Sequence, residues 1–279
     1  MKLPDDFYFT QSNLQDYVDC AYRFYLRHLL RVKWPALLVD DAVTFEERGQ
    51  IGARFHRLIQ QYLMGVDPVR LSDMAAADSS PDISVWWEDF LIHVPPRLVG
   101  TRWVETTLST VVAGYPLLAK YDLILVQPQD DLLIFDWKTS QKRIRKEWLL
   151  NRMQTRLYRL ILVQSGSILT SGRPANPEKI KMHYWFSNHP EATIELAYNS
   201  EAYDEDKTYI SGLIDEVLQR NEKDFLRTED LQKCRYCVYR SFCDRGTQAG
   251  DLDTYETFDA EPGDINLDLD FEDIAEIKF

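Results

Sequence analysis

Residues 117–138 read LLAKYDLILVQPQDDLLIFDWK and contain the strongest structural signal of the chain. Two runs of large and β-branched apolar residues stand on either side of a turn signal at Pro128–Asp130, and such runs indicate β-strands. A third run precedes them and is separated from the first by Gly114-Tyr115-Pro116. The pattern predicts an antiparallel meander of three strands, at residues 101–113, 117–127 and 131–137.

Helical periodicity flanks this meander on both sides. A capping pattern at Thr10-Gln11-Ser12 precedes apolar residues at helical spacing, and Pro95-Pro96 ends the helical part before the strands. The spacing predicts helices over 12–31, 46–64, 85–92, 146–166 and 201–223, a loop or short helices over 65–82, and a hairpin of strands over 180–187 and 192–198. The predicted fold class is α/β (α+β), with an αβββαβ core and helical additions.

Three residues of the meander form a candidate catalytic set: Asp122, Asp136 and Lys138. Adjacent strands can bring the two carboxylates close together, so that one Mg2+ or Mn2+ is held by both acids and by the backbone carbonyl of Trp137. Side chains alternate along a strand, so Asp136 and Lys138 face the same side, where a lysine can orient a metal-activated water. By itself, an acid-x-lysine triplet is more typical of an ion pair on a surface strand.

Further candidates lie outside these two strands. His56 lies in the middle of the second predicted helix and is a potential metal ligand that would favour Mn2+, although a single helical histidine is more often structural. Gln154 and Tyr158 are four residues apart and project from one face of their helix, as the residues of a partly buried polar patch also would. Glu105, on the first strand, is a weaker candidate for the metal shell.

These motifs resemble the PD-(D/E)xK nuclease superfamily, whose signature is an aspartate, then a second acid, one residue and a lysine on adjacent strands. Within it the chain looks most like the RecB and AddB nuclease modules and the CRISPR-adaptation iron-sulfur exonucleases, over roughly residues 8–245. The matching segments are Gly52-Ala53-Arg54-Phe55-His56, Asp136-Trp137-Lys138-Thr139, and Gln154 with Tyr158. The resemblance implies a restriction-endonuclease-like core, catalytic roles for Asp122, Asp136, Lys138, Gln154 and Tyr158, and metal ligation by His56, Asp122, Asp136 and the Trp137 carbonyl. For Gln154 and Tyr158 it also implies contacts to a DNA strand.

The four cysteines favour a metal site over disulfides in an intracellular chain of this size. Cys234, Cys237 and Cys243 are closely spaced, whereas Cys20 lies in the first predicted helix. Four thiolates bind either a structural Zn2+ or a four-iron four-sulfur (4Fe-4S) cluster, and spacing alone favours neither. The distribution resembles the iron-sulfur clasp of the same nuclease families, except that Ala21 stands where a proline commonly follows the first cysteine. The resemblance implies a cluster that closes a single nuclease domain spanning residues 1–250.

Charge is unevenly distributed along the chain. The formal net charge is −13 over 279 residues, but residues 251–279 hold eleven acids and one lysine, so this acidic C-terminal tail carries −10 and leaves −3 for residues 1–250. Basic residues cluster elsewhere, each cluster being either a DNA contact or a solvated face: Arg27, Arg31 and Lys33; Lys138, Lys142, Arg143, Arg145 and Lys146; Arg152, Arg156 and Arg159.

Motifs and composition predict a cytoplasmic enzyme without a membrane segment. Apolar runs are shorter than the roughly 18 residues that a membrane span needs, and Asp5 and Asp6 stand where a signal peptide would need positive charge. The leading hypothesis is a Mg2+- or Mn2+-dependent DNA nuclease, specifically an exonuclease, acting in recombination, repair, defence or CRISPR adaptation. The alternatives are a non-catalytic DNA-binding or scaffold subunit of a helicase-nuclease complex, and an enzyme regulated by its acidic tail. Since no helicase motif occurs, unwinding would come from a helicase or another repair or defence subunit, for which the tail is a candidate docking segment.

Overall fold

The computed structural model describes residues 3–32, 40–140, 144–234 and 237–246, the side chains of residues 40–47 excepted. Its helices are α1 (Gln11–Asp19), α2 (Ala21–Phe24), α3 (Asp40–Leu63), α4 (Pro68–Ala76), α5 (Pro81–His93), α6 (Lys146–Leu150), α7 (Met153–Ser165) and α8 (Ser200–Gln219). Its strands are β1 (Thr101–Val112), β2 (Tyr115–Val126), β3 (Leu132–Lys138), β4 (Ile180–Phe186) and β5 (Ile194–Ala197). Short 3-10 turns and one π-helical turn, Tyr25–Leu29, lie between them.

The strands form a five-stranded sheet in the order β1-β2-β3-β4-β5. β1, β2 and β3 pair antiparallel, which confirms the predicted meander, and β5 pairs antiparallel with β4, which confirms the predicted hairpin. β3 and β4 are parallel, so the chain must cross over between them, and α6 and α7 form that crossover. The predicted αβββαβ core is therefore confirmed.

Helices cover both faces of the sheet. One face packs against α1, α7 and α8 around side chains such as Ile134 and Leu157, and the other packs against α3, α4 and α5 around side chains such as Phe135 and Trp87. β3 lies between the two cores and is buried along its whole length. This explains why residues 132–135 are continuously apolar, since a strand covered on both faces has no solvent side.

Two predicted helices are interrupted. The helix predicted over 12–31 breaks at Cys20, whose backbone is extended (φ −162°, ψ 106°) and whose Sγ accepts the N–H groups of Arg23 and Thr228, both at 3.4 Å. The helix predicted over 146–166 breaks before α7, where Arg152 is extended. Neither break contains glycine or proline, the residues that usually mark a helix end, so apolar periodicity continues through both.

Several predicted features lie outside the described residues. They are the basic residues Lys33, Lys142 and Arg143, the acidic tail 251–279 and the domain boundary at residue 250. Among the described helices, none combines the length and the apolar character needed to cross a membrane.

The packing of α7 against α8 depends on one buried carboxylate. Asp206, whose side chain is 3% exposed, accepts three hydrogen bonds: from Arg156 Nη1 at 2.8 Å, Arg159 Nη2 at 3.2 Å and the Tyr198 hydroxyl at 3.0 Å. Asp206→Ala removes the carboxylate that the two guanidinium groups share, so we expect the free energy of unfolding in urea to fall by about 3–5 kcal/mol. Glu195→Ala, which breaks an exposed ion pair on β5, is the matched control and should cost about 0–1 kcal/mol. Equal losses in the two variants would contradict this account.

Candidate active site

β2 and β3 separate at the position of the two predicted metal-binding acids. Their ladder ends at the pair Leu123–Phe135. Just beyond this pair, Asp122 Oδ2 accepts the backbone N–H of Trp137 at 3.0 Å. Since the N–H and C=O of one residue in a strand point towards the same neighbouring strand, the carbonyl of Trp137 also faces this gap.

The gap coincides with a change of face in β1 and β2. Tyr121 packs in the core beneath α7 and Leu123 in the core beneath α3 and α5, although residues two apart in a regular strand share a face. On β1, Glu105 stands opposite Asp122. It lies between the paired residues Val104–Leu123 and Thr106–Tyr121 and has a positive φ of 50°. Left-handed backbone is costly for a residue with a side chain, so the sheet carries local strain directly across from the acid.

Asp136 and Lys138 share one buried pocket, as strand alternation predicts. Lys138 Nζ lies 2.8 Å from Asp136 Oδ2 and donates to Gln154 Oε1 at 2.9 Å. Gln154 Nε2 donates to Asp136 Oδ1 at 2.6 Å, which closes the group. The side chains of the acid and the lysine are only 3% and 7% exposed, so the ion pair is almost removed from water and Gln154 holds both of its members.

Tyr184 completes this pocket, although no local motif predicts it. In the parallel register of β3 and β4 it stands beside Asp136, and its ring centroid lies 5.7 Å from Lys138 Nζ. Its hydroxyl is 2.7 Å from Thr155 Oγ1. Burial, followed by the negative charge of Asp136, raises the pKa of Tyr184 above its ordinary value, so the hydroxyl stays neutral. In the sequence, the signal for Tyr184 is its place on β4, the strand that follows the crossover helix.

α3 brings His56 to the gap through a close contact between helix and strand. His56 Nδ1 lies 3.7 Å from Asp122 Oδ1. One turn earlier, Gly52 faces Thr139, and a Cβ at position 52 would come within 2.9 Å of Thr139 Oγ1. Glycine therefore allows α3 to approach the end of β3, which explains its place four residues before the histidine.

The surroundings of Asp122 keep its carboxylate ionised. Burial acts to raise its pKa, but the charge of a protonated His56, the hydrogen bond from the Trp137 N–H and the charge of Lys138 together hold the pKa below its ordinary value. An ionised carboxylate beside an imidazole is a suitable pair of ligands for a divalent cation.

Tyr158 and Glu105 both contact the part of β2 that precedes Asp122. Tyr158 is buried and donates its hydroxyl to the Lys120 carbonyl at 2.6 Å, while its ring centroid lies 4.7 Å from that of Tyr121. Glu105 forms an ion pair with Lys120 Nζ at 2.6 Å. The predicted residues thus fall into three groups: Asp136, Lys138 and Gln154; His56 and Asp122; and Tyr158 and Glu105 along β2.

The donors at the gap fit a divalent cation in their chemistry. The carboxylate of Asp122, the imidazole of His56 and the carbonyl of Trp137 lie around the strand split, with Asp136 in the adjoining pocket. In the part of the chain that the structure describes, no three side chains of His, Cys, Asp or Glu are grouped closely enough to hold an ion alone. Mg2+ commonly takes one or two carboxylates and keeps several waters, so a carbonyl and waters suffice to complete its shell.

The four cysteines line one cavity. Cys20, Cys234, Cys237 and Cys243 are free thiols, and they share its wall with basic side chains: Arg23, Arg227, Lys233, Arg240 and Arg245. Burial raises the pKa of Cys234, Cys237 and Cys243, and arginines near each of these thiols partly oppose the effect. Sequence periodicity does not predict the basic side chains of the cavity wall, because they come from segments near both ends of the described chain.

The sequence profile of the PD-(D/E)XK nuclease superfamily matches residues 8–244, and the chain belongs to this superfamily. Its nucleases generally use divalent metal ions such as Mg2+. One similar solved structure is SSO0001, which is 14% identical, covers 87% of this chain and 88% of its own, and has a TM-score of 0.41. Another, from Eubacterium rectale, is named a candidate exonuclease; it is 10% identical, covers 78% of this chain and 86% of its own, and has a TM-score of 0.45. A search of curated proteins found no match. The narrower likeness to RecB and AddB modules stays a prediction.

The contact of Gly52 with Thr139 can be tested by adding and removing single methyl-sized groups. Gly52→Ala should displace α3 from β3 and so move His56, lowering the rate of DNA cleavage by up to about 10²-fold, the cost of a misplacement of roughly 1 Å. The double variant Gly52→Ala, Thr139→Ala should recover, because the nearest remaining Thr139 atom, its Cβ, lies 3.8 Å away.

Gly212→Ala is the matched control for this pair of variants. Gly212 also lies inside a helix, but a Cβ there meets nothing within 4 Å, so we expect a gain in unfolding free energy of about 0.5–1 kcal/mol and unchanged cleavage. Cleavage by Gly52→Ala at the level of the parent protein would show that the close approach is not required.

Proposed function

We propose that this protein is a divalent-metal-dependent DNA nuclease, and specifically an exonuclease. The observation that carries the proposal is the ion pair of Lys138 with Asp136 at 2.8 Å, in a buried pocket beside the strand split at Asp122. Phosphodiester hydrolysis needs anionic ligands for a cation that offsets phosphate charge, and a cationic group for the attacking water. Membership of the superfamily supports the same chemistry.

In the proposed site the metal ligands are Asp122, Asp136, His56 and the Trp137 carbonyl. When bound, Mg2+ or Mn2+ activates a water and neutralises charge on the scissile phosphate. Lys138 orients the attacking water, and Gln154 keeps the ammonium and the Asp136 carboxylate in place through its two hydrogen bonds. Tyr158 acts through its hydrogen bond to Lys120, which holds the strand that carries Asp122. We further propose that Gln154 and Tyr158 contact a DNA strand.

We extend the proposal to the pathway, the partner and the location. The activity would serve recombination, repair, defence or CRISPR adaptation in the cytoplasm, where the four free thiols stay reduced until they bind a cofactor. The sequence has no phosphate-binding motor motif, so a helicase or another repair or defence subunit would unwind the substrate. The tail 251–279, with its charge of −10, is the candidate docking segment for a basic partner.

For the cysteine site we propose a 4Fe-4S cluster in preference to Zn2+. The four cysteines line one cavity, and their distribution along the chain resembles the iron-sulfur clasp of related nucleases. The sulfurs of such a cluster are commonly hydrogen-bonded, as Cys20 Sγ is to two backbone N–H groups.

If the cysteine site holds a 4Fe-4S cluster, protein purified without oxygen should contain about four iron atoms per chain and little zinc. After reduction it should show the electron paramagnetic resonance signal of the reduced cluster. Cys237→Ser should lose both the iron and the signal and should lower the melting temperature, because ligand binding contributes to folding. One zinc per chain without iron would overturn the cluster, and neither metal would overturn the metal site.

The nuclease proposal is tested by cleavage of end-labelled single-stranded and duplex DNA in Mg2+ and in Mn2+. Lys138→Ala should lower the cleavage rate by about 10²-fold or more, since the group that stabilises the attacking water is lost. Lys181→Ala removes an exposed lysine on β4 and should leave the rate unchanged. The order in which labelled products are released will show whether cutting begins at an end and with which polarity.

Two outcomes would redirect the proposal. If the parent protein cuts neither substrate while its cysteine site is loaded, deletion of residues 251–279 separates the remaining hypotheses. Recovery of cutting would support inhibition by the acidic tail. Continued inactivity would favour a non-catalytic DNA-binding or scaffold subunit. Equal cutting by the parent and Lys138→Ala would show that the assigned pocket is not the active site.

A further inference from the structure

The connection between β3 and α7 presents an aromatic ring stacked on a guanidinium group. The guanidinium carbon of Arg152 lies 4.2 Å from the ring centroid of Trp148, a close cation–π arrangement. Both residues are partly buried, and the rest of the stack is accessible from solvent. Trp148 also packs against the core beneath the helix, which fixes the plane of its ring.

This stack adjoins the catalytic pocket along the chain. Lys138 ends the strand that precedes the connection. Gln154, which accepts a hydrogen bond from Lys138 Nζ, follows Arg152 by two residues, so at most about 7 Å separates the two Cα atoms. A strand bound on the stack therefore passes close to the residue that holds Lys138.

A second pair of the same kind extends the row along α7. The guanidinium carbon of Arg156 lies 4.9 Å from the ring centroid of Tyr209, which is 39% exposed. Arg152 and Arg156 are four residues apart and so are neighbours on one side of the helix. Arg156 is fixed by Asp206 Oδ1 at 2.8 Å and Asn151 Oδ1 at 3.2 Å. Two neighbouring arginines at the start of α7 are thus each stacked on a ring, one from α6 and one from α8.

The charge around the Trp148 end of this row suits a nucleic-acid backbone. Residues 145–152 contain three basic residues and one acid, and Arg145 and Lys146 are exposed. Exposed cations bind phosphates irrespective of sequence. Aromatic rings and arginine planes bind the faces of unpaired bases, whereas in a duplex those faces are covered by the neighbouring base pairs. The combination therefore selects single-stranded over duplex DNA.

We infer that Trp148, Arg152, Arg156 and Tyr209 form a stacking platform for the bases of a single-stranded DNA segment that leads to Lys138. The inference rests on the proposed nuclease function and specifies its substrate as DNA with a single-stranded end. Trp148 and Arg152 form the part nearest the pocket, and Arg156 and Tyr209 form the outer part.

The platform is tested by the binding of fluorescein-labelled oligothymidylate and of a blunt hairpin duplex to the full chain in EDTA, where no metal supports cutting. Trp148→Leu should weaken binding of the single strand by about tenfold, the range for loss of one stacked base, and leave duplex binding unchanged. Trp148→Phe keeps a ring and should retain most of the affinity. Trp103→Leu removes another tryptophan, 37% exposed on β1, and is the matched control with no expected change.

The salt dependence separates stacking from charge. Trp148→Leu should leave the slope of log affinity against log salt unchanged, because no phosphate contact is lost, whereas Arg145→Ala with Lys146→Ala should reduce the slope by about one to two. In Mn2+, the ratio of single-strand to duplex cleavage rates should fall in Trp148→Leu by the same factor as the affinity. Should Trp148→Leu melt at a lower temperature than the parent, Arg152→Leu supplies the same comparison.

Failure of the platform and failure of the nuclease function give different results. If the parent protein neither binds nor cuts either DNA, the proposed nuclease function fails and the platform fails with it. If the parent cuts DNA and Lys138→Ala does not, while Trp148→Leu and Arg152→Leu bind the single strand like Trp103→Leu, the nuclease stands and the platform is overturned. In that case the stack is a structural contact of the crossover connection.

Discussion

The hydrogen bond from the Trp137 N–H to the carboxylate of Asp122 takes the place of a backbone bond between β2 and β3. A buried N–H must find a partner, so two strands that separate inside a sheet need a side chain to accept it. Asp122 does so with Oδ2 while Oδ1 remains directed towards His56, 3.7 Å from its Nδ1. One carboxylate thus accepts the N–H that the separated strands leave and directs its second oxygen into the opening. The position of the site is therefore determined by where the ladder ends.

Contacts from α7 hold this opening in shape. Tyr121 donates its hydroxyl to the carbonyl of Tyr158 at 2.8 Å, and Tyr158 donates its own hydroxyl to the carbonyl of Lys120 at 2.6 Å. These reciprocal bonds fix β2 just before Asp122, and the ion pair of Lys120 with Glu105 fixes β1 opposite. A residue in a strained backbone conformation, such as Glu105, keeps that conformation only where several surrounding contacts hold it in place. The geometry of the gap is therefore held by contacts within the chain.

Local patterns predicted the strands, the facing of Asp136 and Lys138, and the sequence of elements around them, because these depend on periods of two and 3.6 residues. The change of face at Asp122 could not be predicted, since strict alternation would put Tyr121 and Leu123 on one side. The place of Tyr184 depends on the register of strands far apart in sequence. The break at Cys20 follows from an extended backbone that brings its sulfur to Thr228 near the other end of the chain. Each failure involves a partner distant in sequence, which periodicity cannot detect.

Aromatic packing joins the N-terminal helices to the segment that follows α8. The ring of Phe225 stacks on Phe24 at 6.1 Å and on Tyr25 at 5.1 Å between centroids. The segments that carry Cys20 and the three later cysteines are therefore also joined by ordinary core contacts. The same N-terminal segment reaches α7, because Gln15 in α1 accepts the N–H of Met153 at 3.3 Å. Met153 directly precedes Gln154, so this segment also positions the start of the helix whose Gln154 binds Lys138 and Asp136.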